Sequence, residues 1–346
     1  MNYSPYISVL ILAHDRRKYL FDAVNSVLSQ DLPRDKYEVL VVKYELDNDK
    51  EIDKKLEELG LRVVNTKEVS LGAKIAVGAE EAKGEVLAFL EDDDLFLPGK
   101  LSRVYEVFNR DEKIGYYHNE MIYYDIDKNE EIKNMNEFRR KFLLRFKRHF
   151  KNGLMIKEAG FWNRYSLLLF GFFGINNSSI AVKKDVILNC RDGYKSFAYP
   201  YAIDQFNHII SLELDYKSVM DINAYTIYRV HKSNASIKSN YSSLEQYANF
   251  MISLSNKIIH DIYILKKMCD INKTYRIVEA FELIFQLNKI IYTHVLGKGG
   301  NIQALPIIIR LLRHDRSYLY SPGVMLPYLI SLFPRRLKIW YLSRNL

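Results

Sequence analysis

The chain has 346 residues, 48% of them apolar and 27% charged, with a net charge of +8 at neutral pH. That composition excludes overall disorder and leaves room for one large domain or two medium ones around a sizeable core. The positive balance suits nucleic acid, anionic lipid or phosphate-bearing substrates without choosing among them.

Two cysteines, Cys190 and Cys269, occur without a CxxC. They argue against a disulfide scaffold and a zinc ribbon, and they fit a reducing, cytoplasmic setting. A strand pattern begins by Tyr6 with no secretory leader ahead of it, and no 18-residue apolar run predicts a transmembrane helix.

In chain order, Tyr6–Ala13 predicts a buried strand. A helix follows with Leu20, Ala23, Val24, Val27 and Leu28 on one face and Asp15 as its cap. Glu38–Tyr44 and Leu61–Asn65 predict two more strands. Between them runs a charged helix from Asp49 to Leu59, with Gly60 at its stop. Ser70 starts a helix with Ile75, Ala76, Ala79 and Ala82 inward, and Gly84 ends it. Val86–Leu90 is the fourth strand, and Leu101, Val104 and Phe108 open the next helix. Alternating strands and helices imply βαβ units and a mostly parallel sheet.

The fourth strand runs into four consecutive acids: Glu91, Asp92, Asp93 and Asp94. Like charges at the end of a buried strand repel one another and resist desolvation. A divalent cation, Mg²⁺ or Mn²⁺, relieves both, and such an ion usually shares its shell with phosphate oxygens. An acidic run can equally be a solvated turn. In parallel sheets ligands bind outside the carboxyl ends of the strands. The loop Ala13-His14-Asp15-Arg16 after the first strand therefore converges on this acidic turn.

Gly115–Ile126 reads as a tyrosine-rich strand. Lys133–Lys151 is a basic segment with Phe138, Phe142, Phe146 and Phe150 interleaved at near-helical spacing, and the apolar stretch Tyr165–Phe173 follows it. It reads as an amphipathic basic helix. Its Phe face either packs on the domain or meets anionic lipid or a phosphate-bearing acceptor. Asn177–Val182 is a short strand. Pro200 precedes a helix with Phe206, Ile209, Ile210 and Leu212 inward. Tyr216–Met220 and Ala224–Val230 read as two closing strands. Beyond a boundary near residue 236, Tyr241–Cys269 and Thr274–Leu296 are long helices, Gly297–Gly300 breaks the pattern, and a basic, aliphatic tail is cut by prolines.

Several of these segments resemble family 2 glycosyltransferases of the GT-A fold, over roughly residues 6 to 236. Ile7-Ser8-Val9-Leu10-Ile11 with Arg16, Tyr19-Leu20 and Ser26–Gln30 is similar to the family's first strand, loop and helix. Gly78–Glu85 is similar to its pre-motif helix. Leu90-Glu91-Asp92-Asp93-Asp94, with Pro98 and Lys100-Leu101, resembles its DxD metal motif. Tyr228-Arg229-Val230-His231 with Ser236 resembles the segment that closes the catalytic domain.

The resemblance implies a mostly parallel α/β sheet flanked by helices, here spanning residues 1–236 with the basic insertion at about 133–173. The helical region 237–346 follows. It implies that Asp93 ligates the metal, with Asp94 beside it and His231 as a further ligand or phosphate contact. Ala13, His14, Asp15, Arg16, Lys74, Glu91 and Asp92 fall on the nucleotide-sugar side. Asp204, in Ala202-Ile203-Asp204-Gln205, takes the place of the catalytic base, its alternative being a helix-capping charge. The chain departs from the family at Lys43, where an Asp is usual, at Ile75-Ala76 in place of Arg-Asn, at Glu91, and at Ile203 in the base pair.

These features lead to the expectation of a metal-dependent, inverting transfer from a nucleotide-diphosphate sugar to a glycan, polysaccharide or lipid-linked acceptor. The basic segment Lys133–Lys151 and the basic, aliphatic tail lead as well to the expectation of peripheral contact with the cytoplasmic face of a membrane, with 237–346 as a membrane- or partner-associating region. The alternative for the tail is a helical annex that packs on the sheet or forms a dimer contact. The alternatives are a catalytically degenerate binding protein and a basic nucleic-acid-binding protein, the latter without a recognisable module.

Overall fold

The computed structural model describes residues 5–14, 17–44, 50–145, 147–158, 175–197, 202–232, 234, 242–300, 302–314 and 329–343. Asp15, Arg16, the Tyr165–Phe173 stretch and Ser236 lie outside them.

In the first unit, up to His231, the elements in order are β1 (Ile7–Leu12), α1 (Arg17–Leu28), β2 (Tyr37–Tyr44), α2 (Lys50–Glu58), β3 (Arg62–Thr66) and α3 (Leu71–Glu81). β4 (Val86–Glu91), β5 (Leu95–Phe96), α4 (Lys100–Arg110), β6 (Ile114–Asp125), β7 (Glu130–Glu131) and α5 (Lys133–Arg145) come next. β8 (Leu154–Lys157), β9 (Ile180–Lys183), α6 (Lys184–Leu188), α7 (Arg191–Ser196), α8 (Ile203–Glu213) and β10 (Lys217–Val230) complete it.

The strands form one sheet in the order β3-β2-β1-β4-β9-β6-β10-β5, with β7 on β6 and β8 on β10. β3, β2, β1 and β4 run parallel, and β9 is antiparallel to both of its neighbours. This is the α/β architecture expected from the alternating pattern. β1 is buried along its whole length, which is why it reads as a continuous apolar run instead of an alternating one. Leu20, Ala23, Val24 and Val27 of α1 are buried in the core beneath it.

α3 lies close on the sheet. Ser70 caps it, accepting the Ala73 N–H at 3.2 Å. A Cβ on Gly78 would stand 2.8 Å from a Leu10 methyl, and one on Gly84 2.7 Å from the Ser8 backbone nitrogen. Gly84 therefore requires glycine because backbone stands in the way, whereas at Gly78 a Leu10 methyl would have to give; the two seat the end of α3 closely on β1.

Three expectations need correction. The two closing strands are one 14-residue strand, β10, whose register against β6 shifts between Asp221 and Thr226. The Asp221 carboxylate accepts the Asn223 N–H at 3.0 Å, a local turn that absorbs the irregularity without ending the strand. The short strand at 177–182 begins as a 3-10 turn, Asn177–Ser179, and pairs from Ile180 onward. The basic helix ends at Arg145, and its inward face holds Arg139 and Leu143 while Phe138 is 67% exposed. Arg139 Nε donates to Glu120 at 2.6 Å, so one of the segment's basic residues is taken up by a buried ion pair. Nor are the cysteines reduced thiols as expected: neither is free.

The second unit, from Lys232, is helical: α9 (Leu244–Met268), α10 (Tyr275–Val295), α11 (Ala304–His314) and α12 (Arg335–Ser343). Its core joins Leu283, Leu287 and Ile291 of α10 to Ile308 and Leu311 of α11.

Candidate active site

β4 delivers the four acids to the carboxyl end of the sheet, and a turn follows in which the Asp94 N–H donates to the Glu91 carbonyl at 3.1 Å. The structure then separates four residues of like chemistry. Asp92, Asp93 and Asp94 are buried, and Glu91 is half-buried. Asp92 accepts the His14 backbone N–H at 2.6 Å, which ties the turn to the loop after β1. Asp93 Oδ2 lies 3.0 Å from His231 Nε2. Asp94 accepts the Arg229 N–H at 3.0 Å. Burial, then the charges of Asp93 and Glu91, push the Asp94 carboxyl well above the ordinary carboxylate range, while hydrogen bonds from Ser178 and Arg229 work the other way.

Arg229 is the residue that sequence reasoning did not single out. Its Nε donates to the Asp93 carbonyl oxygen, its Nη1 pairs with Asp22 of α1 at 2.8 Å, and its guanidinium lies over the Tyr19 ring at 4.9 Å. The His231 ring stands 5.0 Å from the same tyrosine. The end of β10 thus grips the acidic turn from one side and α1 from the other. Tyr228-Arg229-Val230-His231 was visible as a motif, but nothing in the sequence marked which atoms it holds.

Lys74 is buried at the start of α3. Its Nζ donates to the Ala13 carbonyl at 2.7 Å and lies 3.4 Å from His14 Nδ1. Ala13, His14, Lys74 and Asp92 are therefore brought together, as the sequence reading groups them. Lys43, where the family usually has Asp, is buried against Asp53 at 2.5 Å. Asp15 and Arg16 lie outside the described residues.

Asp204 stands in the first turn of α8, whose cap is Ala202 with no side-chain cap hydrogen bond. The residue is half-buried, but desolvation raises its carboxyl well above the ordinary carboxylate range. The charge of Glu91 raises it further, and backbone N–H groups of Asn176 and of Asp204 itself oppose the rise. Asp204 is thus within electrostatic reach of the acidic turn from an element more than 110 positions further along the chain.

Behind the turn runs a buried polar chain. The Glu91 N–H donates to Ser178 Oγ at 3.0 Å, Thr226 Oγ1 to the Ser178 carbonyl at 3.2 Å, and Asn119 Nδ2 to Thr226 Oγ1 at 3.0 Å. Lys100 closes it, donating to Asn119 Oδ1 and to the Ser179 carbonyl at 3.2 Å. Burial lowers the Lys100 ammonium to about 7, with Asp221 opposing. Lys100 follows Pro98-Gly99 in the recognised motif. Ser178, Thr226 and Asn119 gave no signal, because their proximity depends on register across strands distant in sequence.

Among the described residues, no group of three or more His, Cys, Asp or Glu is arranged to hold a metal ion. Asp93 and His231 are nonetheless a carboxylate and an imidazole side by side, a donor pair that suits Mn²⁺ better than the all-oxygen-preferring Mg²⁺ where substrate oxygens complete the shell.

A largely parallel sheet that presents a loop, an acidic turn and a distant carboxylate at one strand end defines the GT-A class of fold, with C-terminal helices appended here. Residues 8–170 match the family model described as Glycosyl transferase family 2. The chain is 34% identical over 115 residues to "Uncharacterized glycosyltransferase alr2836" of Nostoc sp., covering 32% of this chain and 35% of that protein. It is 32% identical over 109 residues to "Putative teichuronic acid biosynthesis glycosyltransferase TuaG" of Bacillus subtilis, covering 30% and 42%. It therefore matches less than half the length of these curated relatives. Among solved structures it resembles S. aureus TarS 1-349 in complex with UDP-GlcNAc, with a TM-score of 0.54 and 15% identity over 97% of this chain and 91% of that one. That likeness bears on the fold alone.

Proposed function

We propose that the chain is an inverting, metal-assisted glycosyltransferase that moves a sugar from a nucleotide-diphosphate donor to a hydroxyl of a glycan, polysaccharide or lipid-linked acceptor. The observation that carries this reading is the Asp93–His231 pair, 3.0 Å apart beside the Asp92–His14 link at the end of β4. The family match and the glycosyltransferase relatives support the same class.

In this reading Ala13, His14, Lys74 and Asp92 form the wall that receives the nucleotide. Lys74 holds the loop carbonyl, so the His14 N–H keeps its direction toward Asp92. A divalent ion held by Asp93 and His231 would supply Lewis-acid stabilisation of the leaving diphosphate. Asp204 accepts the proton of the attacking acceptor hydroxyl as its oxygen bonds to the anomeric carbon and the diphosphate oxygen departs. Its raised affinity for a proton suits that task.

The test is a thermal-shift screen of UDP-, GDP- and dTDP-sugars with and without Mn²⁺, followed by transfer assays with the donor so found. UDP-GlcNAc, the ligand of the fold-matched TarS, is the first donor to try. Asp93→Ala abolishes metal-dependent transfer or donor hydrolysis. A chain that binds a nucleotide sugar yet never turns it over would instead be a degenerate binding protein, in line with Glu91 and Ile203.

A further inference from the structure

The charge of this protein is concentrated at one end. From Leu296 to Leu346 the sequence has eight basic residues and one acid, so this segment accounts for nearly all of the net charge of +8. Within it, α12 carries apolar residues on two sides, with Ile339 and Leu342 packed on the core of the helical unit. Lys338 is buried, with its Nζ 2.6 Å from His294 Nδ1, and Arg335 Nε donates to the Val295 carbonyl at 3.0 Å. The basic side of the helix therefore faces the carboxyl end of α10, where cationic groups are favoured. On the opposite side Leu337 and Trp340, at helical spacing, are 49% and 53% exposed, and Phe333, in the turn just before the helix, is 39% exposed. Leu332 adds to the same end of the unit at 37% exposed, and Arg336 is exposed between Phe333 and Leu337. Monomers rarely expose an apolar stripe of this kind without using it.

We propose that this outward face of α12 docks on an anionic lipid surface. Leu, Phe and Trp side chains beside an exposed arginine, here Arg336, are the composition that lies in a headgroup layer, with the aromatic ring at the interface and the cation on a lipid phosphate. A second copy of the chain is disfavoured as occupant, because a two-fold contact brings arginine-rich surfaces of the same sign together. Nucleic acid gains little from the aliphatic stripe. Of the two segments from which the sequence leads one to expect membrane contact, the Lys133–Lys151 segment is the weaker candidate: α5 uses Arg139 internally, so its basic count overstates what it offers to lipid. No membrane-spanning helix is involved, and none of the described helices is long and apolar enough to cross a bilayer.

The experiment is co-sedimentation of the full chain with vesicles of phosphatidylcholine alone or mixed with phosphatidylglycerol, at low and high salt. It needs no donor, so its outcome is independent of the glycosyltransferase reading. Binding to the anionic vesicles is expected, weakened by salt. Leu337→Ser with Trp340→Ser should lower it on the order of tenfold or more with thermal unfolding unchanged. Arg336→Glu, an exposed charge reversal that leaves the stripe intact, should lower it on the order of tenfold by itself. The proposal is overturned by no co-sedimentation, or by binding that both substitutions leave intact. It is also overturned by equal binding to neutral vesicles, by displacement with duplex DNA, or by concentration-dependent self-association lost in Leu337→Ser.

Discussion

Arg229→Ala tests whether β10 holds the acidic turn. The side chain makes three connections of unequal worth. Its ion pair with Asp22 involves a carboxylate that is 58% exposed, so it contributes at most about 1 kcal/mol after screening. Its place over Tyr19 is worth about 0.5–1 kcal/mol. The bond to the Asp93 carbonyl is charge-assisted and buried, and removing the donor leaves that oxygen unsatisfied at a cost of about 1.5–3 kcal/mol. Because these terms overlap, the expected loss is about 3 kcal/mol, or a fall in Tm of about 6–12 °C for a unit of this size. The backbone N–H that reaches Asp94 survives in alanine, so the turn is loosened without being released.

A loosened turn misplaces Asp93 relative to His231. The metal dependence should therefore weaken along with the fold, with saturation requiring on the order of tenfold more Mn²⁺. Arg229→Lys keeps the charge but loses the fork, and should fall between wild type and alanine on both scales. Differential scanning fluorimetry and a metal titration of transfer read the two effects. The reasoning fails if Arg229→Ala melts within about 2 °C of wild type and saturates at the same Mn²⁺ concentration.

Lys74→Met keeps the length of the side chain but frees the Ala13 carbonyl and His14, so the donor KM should rise about tenfold with a smaller change in kcat, as steady-state kinetics would reveal. Asp204→Asn should abolish transfer while leaving nucleotide binding nearly intact. Because the folded state raises the Asp204 carboxyl above its unfolded value, ionising it costs stability as pH rises, so Asp204→Asn should melt higher than wild type in mildly basic buffer and lose that advantage in acid. In wild type the same group must be deprotonated to act, so transfer rate should climb with pH through its titration. Gly84→Ala places a methyl 2.7–2.8 Å from backbone and side-chain atoms of Ile7 and Ser8, and should cost about 1–3 kcal/mol in urea unfolding whatever the enzyme's activity.

Much of the sheet was legible because buried strands announce themselves as unbroken apolar runs. Val9, Ile11, Val39, Val41 and Leu90 are fully buried or nearly so, where the sequence places them. The long helices of the second unit were equally legible from their period. What was hidden depended on register and on pairing between distant positions. Arg229 and Asp93 are 136 positions apart, and only the pairing of β10 with β6 and β5 sets them side by side. Arg139 counted as one of a run of basic residues, and its buried pairing with Glu120, 19 positions earlier, has no local signal. The break inside β10 was read as two strands because Asp221, Ile222 and Asn223 look like a turn. They are one, folded into a strand that continues.

The acidic turn illustrates the same limit at the scale of single atoms. Four adjacent carboxylates cannot all stay charged and buried at this spacing, since each ionised neighbour makes the next harder to ionise. The fold resolves the conflict by giving each acid a different environment. Asp92 takes a backbone N–H from the first loop, Asp93 an imidazole, and Asp94 the Arg229 amide in a buried setting that raises its carboxyl. Glu91 stays half-buried and adds to desolvation in raising the Asp204 carboxyl. In the proposed mechanism the charge that repels within the turn thereby adds to the proton affinity of the residue assigned as base. Replacing Glu91 by Gln tests that coupling: the pH at which transfer reaches half its maximum should move down, while Glu91→Asp should leave it nearly in place.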